Sequence, residues 1–182
     1  DSYPLPELPA GIGSEGAGVV EAIGDGVDFV SIGDRVAYSS GGHALPRGSY
    51  CEARTMAAER LITLPDNIDD ATAAAMTTKG LTAHYLIHDV YAVGPGDTIA
   101  VHAAAGGVGQ IICQWSRHRG ARVIGIVGSD IKEPHAANAG CHHTLVRERD
   151  DIVAAVKSLT AGEGVQVVFD AVGADTFEES LN

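Results

Sequence analysis

Residues 97–127 read DTIAVHAAAGGVGQIICQWSRHRGARVIGIV, and their pattern decides the fold class. Thr98 to His102 is a short apolar run rich in β-branched residues, opened by the turn Pro95-Gly96-Asp97, and predicts a buried strand. Small residues follow from Ala104 to Gly109, where the chain must bend sharply. Ile111, Ile112 and Trp115 then recur at helical spacing, and Arg117, His118 and Arg119 precede Gly120. That order puts basic side chains at the negative end of a helix dipole and a glycine at its C-terminal cap. Arg122 to Val127 is a second apolar run, of the kind buried on both faces of a parallel sheet. Strand, glycine turn, helix and strand form a βαβ unit whose helix N-terminus is aimed at an anion, usually a pyrophosphate.

The turn is a variant of G-x-G-x-x-G, with Ala104 at the first position, Gly106 at the second and Gly109 at the third. Alanine fits the first position if its φ stays negative. Gly106 lets backbone approach phosphates, and Gly109 lets helix and strand pack closely. A glycine-rich turn alone also occurs in α/β proteins that bind nothing. Its place between a strand and a helix favours a dinucleotide.

Beyond this unit the chain keeps alternating. A helix interrupted by Pro134 is expected over 130–139, a strand over 144–146, a helix over 150–159, a strand over 165–169 and the start of a helix over 175–181. This is the pattern of a doubly wound parallel sheet. On the N-terminal side, 69–88 is alanine-rich and predicts a long helix weakened or kinked at Gly80. Earlier still, turn signals separate short strands expected over 13–24, from Gly33-Asp34-Arg35-Val36 onward, over 49–57 and over 60–64. Residues 1–12 are proline-punctuated and extended.

The 182 residues are 45% hydrophobic and 20% charged, which suits a packed soluble globule rather than a disordered chain. A formal charge of −12 argues against nucleic acid or an anionic membrane as partner. Any phosphate site must then be a local basic pocket on an acidic surface. No apolar run reaches bilayer length, and the opening DSYPLPELP has no signal-peptide pattern. Cys51, Cys113 and Cys141 are widely spaced, neither a disulfide framework nor a zinc cluster, and suit a reducing cytoplasm.

Taken together, VHAAAGGVGQIICQWSRHRGARVIGIVGS, GSEGAGVVEAIGDGV, GDRVAYSS, AAMTTKGLTAHYLI and VVFDAVG resemble the zinc-independent, zeta-crystallin-like quinone oxidoreductases of the medium-chain dehydrogenase/reductase superfamily. The resemblance covers essentially the whole chain in order. It implies a GroES-like β-rich domain over 1–78 followed by a Rossmann domain over 79–182, both incomplete, since family members begin earlier and continue past Asn182. It also implies hydride transfer from NADPH to a quinone or conjugated enone, and a homodimer at full length. An enoyl-thioester reductase of the same superfamily and a catalytically silent NADPH-binding protein are the alternatives.

Zinc-dependent relatives carry Gly-His-Glu where this chain has Gly13-Ser14-Glu15, and a cysteine cluster that is absent here. The eight histidines, at 43, 84, 88, 102, 118, 135, 142 and 143, show no zinc-ligand spacing, although His84 and His88 could share a helix face. No metal site is expected. Without a Lewis acid, the conjugation of a quinone or enone must delocalise the charge arriving with hydride.

NAD-selective domains usually place a carboxylate at the end of the second strand, whereas here Val127 is followed by Gly128 and Ser129. That points to NADPH. By resemblance Lys132 matches the lysine that contacts the 2′-phosphate, and Arg147 stands where relatives often carry Tyr. Ser129, Lys132 and Arg147 would form the basic pocket, partly offset by Asp130 and Glu133. Ala105, Gly106, Gly107 and Val108 would hold the pyrophosphate. The resemblance adds Thr82 and Tyr85 near the nicotinamide end, and Val172 beside the dinucleotide. Tyr3 aligns with a proline-rich loop and is not read as catalytic. No catalytic side chain is assigned.

Overall fold

The computed structural model describes residues 8, 10–40 and 48–182, so Tyr3 and His43 lie outside it. The chain divides into two compact units, Asp1–Thr78 and Lys79–Asn182. In the first, strands β1 (Glu15–Val19), β2 (Arg35–Ser39) and β3 (Ile62–Thr63) form an antiparallel sheet in that order. Ala17 lies opposite Ala37, and Val36 opposite Thr63. As the central strand, β2 buries Val36, Ala37 and Tyr38.

Two expectations fail in this unit. The strand expected over 13–24 is only the five residues of β1, although Val20 still exchanges backbone hydrogen bonds with Gly33 and Asp34. The stretch 49–57 is not a strand: its polar groups find local partners, with Cys51 N bonded to Ser49 O and the Arg54 guanidinium on Gly48 O at 2.6 Å. A 3₁₀ turn at Ala58–Arg60 then leads into β3.

Helix α1 (Asp70–Tyr85) begins at Asp69, whose carboxylate accepts from the Thr72 amide at 2.8 Å and the Thr72 hydroxyl at 2.7 Å. These two bonds hold the Asp69 carboxyl below its ordinary range. Arg35 reaches the same turn, bonding Asp70 and Ile68 O at 2.6 Å each. Gly80 neither ends nor interrupts α1, which runs through it and widens into a π turn at Leu86–Val90.

The second unit follows the alternation read from the sequence. Its elements are β4 (Thr98–His102), α2 (Gly107–His118), β5 (Arg122–Val127), α3 (Glu133–Asn138), β6 (His143–Val146), α4 (Ile152–Leu159), β7 (Val167–Phe169) and α5 (Phe177–Ser180). The sheet is parallel in the order β6-β5-β4-β7. The chain steps outward from β4 to β5 to β6, then returns to β7 on the other side of β4. That reversal makes it a doubly wound Rossmann-type sheet.

Side chains alternate along these strands, so two cores form. Ile99, Val101, Val123 and Val127 pack with Ile112 and Cys113 of α2 and Ala136 of α3. Ala100, Ile124, Ile126 and Leu145 pack with Ile152 of α4. Pro134 does not interrupt α3 but sits in its first turn, where the missing N–H has no partner to lose. A 3₁₀ turn at Asp130–Lys132 precedes it.

Candidate cofactor site

The parallel register brings the C-terminal ends of β4, β5, β6 and β7 to one edge, the edge at which doubly wound sheets bind ligands. After β4 the chain turns at Ala103, a non-glycine residue at φ 50°. The first motif position, Ala104, is outside the left-handed region, so the unusual backbone falls one residue before the motif. Ala104 is fully buried, and its amide bonds Ile126 O of β5 at 3.1 Å. Gly106 N closes the turn onto Ala103 O at 2.8 Å, and the Gln110 side-chain amide donates to Ala105 O at 2.8 Å.

Gly106 is the N-cap of α2, at φ −80° and ψ 166°, and no side chain caps the helix there. The first-turn amides of α2 are therefore left to an external acceptor, where the helix dipole favours an anion. A Cβ on Gly109 would stand 2.3 Å from Ala103 O, so only glycine lets α2 lie this close to the end of β4. A Cβ on Gly106 would be 3.0 Å from the same oxygen. At Gly107 it would meet Lys79 Cδ and Cε at 2.7 and 2.9 Å. The stem of Lys79 thus crosses the first turn of α2, a placement the sequence reading missed. Its only signal was a lysine late in an alanine-rich helix whose inward face is not defined by periodicity.

At the end of β5, Gly128 is exposed, Ser129 is half-buried and Lys132 is exposed, with Lys132 N bonded to Ser129 O at 3.0 Å. Arg147 follows β6 and reaches the segment after β7. Its guanidinium donates to Asp175 O at 3.0 Å and lies 3.9 Å from Glu179. The arginine that meets Asp130 and Glu133 is instead Arg149, at 2.7 and 3.3 Å, with Asp150 at 3.0 Å. The hydrogen bonds it donates to Asp150 and Glu133 push its pKa up. Two carboxylates close to Lys132 in the chain are thereby paired.

After β7, Asp170 organises the loop that carries Val172. Its Oδ1 accepts from the Val172 and Gly173 amides at 2.9 and 3.2 Å and from Thr176 Oγ1 at 2.9 Å, and its Oδ2 accepts from Ser180 Oγ at 2.8 Å. Burial opposes ionisation, but the bonds from Thr176, Val172, Ser180 and Gly173 outweigh it and hold the carboxyl at about 2. Ser180 Oγ is also 3.3 Å from Nε2 of His102, at the end of β4. Burial pushes the His102 pKa down, with Asp170 and Glu179 opposing and Arg147 assisting. His102, Asp170 and Ser180 thus form a structural brace between β4 and α5. Their wide separation along the chain hid it from the sequence.

Thr82 is half-buried and Tyr85 exposed, each three residues further along α1 from Lys79, so the three make a row of helical neighbours. The His84 and His88 rings stack at 4.5 Å against Trp115, and an Arg119 nitrogen is 3.3 Å from His88 Nδ1. Burial, then Arg119 and His84, push the His88 pKa down. Among the described residues no group of three or more His, Cys, Asp or Glu could hold a metal ion.

Residues 1–93 match the alcohol dehydrogenase GroES-like domain family, and residues 107–182 match the zinc-binding dehydrogenase family. The chain is 46% identical over 180 residues to a quinone oxidoreductase of Pseudomonas aeruginosa, covering 99% of this chain and 54% of that protein. It is 42% identical over 178 residues to a 2-haloacrylate reductase of a Burkholderia species, covering 97% of this chain and 52% of the other. The crystal structure of Escherichia coli quinone oxidoreductase complexed with NADPH superposes with a TM-score of 0.89 at 41% identity, over 98% of this chain and 54% of that one. The chain thus spans about half the length of these relatives.

Proposed function

The chain belongs to the zinc-independent quinone oxidoreductases of the medium-chain dehydrogenase/reductase superfamily, and from that membership we propose that it serves NADPH-dependent reduction of a quinone or a similar conjugated enone. The observation that carries this reading is the uncapped N-terminus of α2, which opens at the C-terminal edge of the sheet beside glycines that a side chain would obstruct. A pyrophosphate would bind there. The amides of Gly107 and Val108 would bind it, with Ala105 and Gly106 shaping the turn. Ser129 and Lys132 at the end of β5 would take the 2′-phosphate, since Gly128 and Ser129 stand where an NAD-selective domain has a carboxylate. Arg147 would complete the basic pocket, its guanidinium also holding the neighbouring loop through Asp175 and Glu179. Val172 would flank the dinucleotide, and Thr82 and Tyr85 would face its nicotinamide end.

NADPH bound in this way supplies hydride to an electron-poor acceptor. The chain binds and orients the cofactor, and no described side chain is assigned to proton transfer. Ser14 stands where zinc-dependent relatives have a histidine, so carbonyl polarisation by zinc is not part of this reading. Conjugated carbon–carbon double bonds are a second acceptor class, favoured by the match to a 2-haloacrylate reductase. Enoyl thioesters fall in that class.

Anaerobic stopped-flow oxidation of NADPH, with a quinone and an enoyl thioester compared on a chain of the relatives' full length, tests the proposal. NADPH binding without oxidation by either acceptor would refute it. At that length we propose a homodimer in the cytoplasm. This rests on the family and on the formal charge of −12, which disfavours nucleic acid and anionic membranes. No helix among the described residues is long and apolar enough to cross a membrane.

A further inference from the structure

Gly125 lies in the middle of buried strand β5, where a missing side chain marks a close approach by something else. That neighbour is Cys141: its Sγ is 2.5 Å and its Cβ 3.3 Å from where a Gly125 Cβ would sit. Cys141 is held there from three sides. It ends the C-terminal cap of α3, with Gly140 at φ 90°, Gly140 N bonded to Ala137 O, and Cys141 N bonded to Ala136 O. The next residue is fixed to β5 by His142 N to Val123 O at 2.8 Å. From the third side, Arg117 of α2 donates to Gly140 O at 2.9 Å.

Cys113 stands one helical turn before Arg117, on the same face of α2. The bond from Arg117 to Gly140 ties this part of α2 to the residue before Cys141, and Cys113 belongs to the core cluster against which Cys141 packs. Both are free thiols; Cys113 is buried and Cys141 half-buried. We propose that Cys113 and Cys141 are a redox-active dithiol, a modification site that a peroxide closes to an intramolecular disulfide.

The two sulfurs differ in the way this chemistry requires. Interaction with Cys141 and then burial push the Cys113 pKa up. Interaction with Cys113, assisted by Arg117 and opposed by burial, brings the Cys141 pKa down. Cys141, as thiolate, attacks one peroxide oxygen; the O–O bond breaks, giving the sulfenic acid and, after proton uptake, water. The Cys113 sulfur then attacks the Cys141 sulfur, its proton leaves with the hydroxyl, and a second water departs. Two thiols and one hydrogen peroxide become one disulfide and two waters, with two electrons passing from sulfur to oxygen. The product fastens α2, which carries the glycine turn at its other end, to the α3–β6 connection.

Titration of the reduced chain with hydrogen peroxide, followed by alkylation in denaturant and mass spectrometry, tests this. In a Cys51→Ser chain, which removes the exposed thiol, alkylatable thiols should fall from two to none. The protein should lose the mass of two hydrogens, yield a Cys113–Cys141 peptide, and recover both thiols with dithiothreitol. In the wild type, measured in parallel, the same peptide should form. A Cys51→Ser, Cys141→Ala chain should keep the Cys113 thiol throughout. The proposal is overturned if both thiols persist at peroxide levels that oxidise Cys51 in the wild type, or if Cys141 proceeds to sulfinic acid while Cys113 stays free.

Discussion

At Gly109 the absence of a single carbon lets α2 lie against the end of β4. An alanine Cβ would intrude to 2.3 Å from Ala103 O, a backbone atom that cannot swing away. Gly109→Ala should therefore lower the unfolding free energy by about 1–3 kcal/mol, measured by urea denaturation, and weaken NADPH binding as well. Gly128→Ala is the contrast: nothing lies within 4 Å of its Cβ position, and stability should change by less than about 0.5 kcal/mol. Lys132→Ala should weaken NADPH by roughly ten- to a hundred-fold, since a hydrogen bond to a charged group contributes about 1.5–3 kcal/mol. NADH should be unaffected, and isothermal titration with both cofactors separates a phosphate contact from a structural role. Asp170 makes a pH prediction. Its folded-state pKa of about 2 is below the ordinary 3.8, so the stability it contributes is complete above about 3.8 and is lost as pH falls toward 2. Asp170→Asn should lower stability at neutral pH and flatten its decline across that window.

Helix ends illustrate the element scale. Asp151 caps α4, with Oδ1 accepting from the Ala154 amide at 3.1 Å. Asp151→Ala should cost about 1 kcal/mol in thermal or urea unfolding, with NADPH affinity unchanged because α4 takes no part in the proposed site. The uncapped N-terminus of α2 is the opposite case, an end left to a ligand. Both ends are specified by few residues, but only the cap of α4 is complete within the protein. Elements with strong local signals formed where the sequence put them. β4 and β5 needed only apolar runs bounded by turns, and Pro134, read as an interruption of a helix, found the first-turn position that tolerates it. The expected strand over 49–57 failed because strands depend on a partner, and this stretch met turns and an arginine–carbonyl bond instead.

For the molecule as a whole, Ser14 in place of a histidine and the widely spaced cysteines predict that a protein of the relatives' full length contains no stoichiometric metal and keeps its activity in chelator. It should oxidise NADPH with quinones and turn over primary alcohols slowly. Elemental analysis combined with steady-state rates on both substrate classes decides this. One zinc per chain with brisk alcohol oxidation would mean that ligands lie outside the residues described. All of the proposed cofactor residues come from the second unit, whose βαβ repeats put every loop of interest at one sheet edge.

The sequence by itself determined the order of the elements in the second unit, the glycine turn, the lack of a carboxylate after β5 and the acidic balance. Each of these is local or additive along the chain: hydrophobic periodicity, a missing Cβ, a residue count. Only the tertiary structure decided which distant side chains meet. It took Arg147 to Asp175 and Glu179, gave Asp130 and Glu133 to Arg149, and joined His102, Asp170 and Ser180. It also laid the stem of Lys79 over Gly107 and set Cys141 above Gly125, in the same core as Cys113. Such pairings depend on strand order and on which face of a helix turns inward. Both are fixed by packing between segments far apart in the chain, which no local pattern encodes.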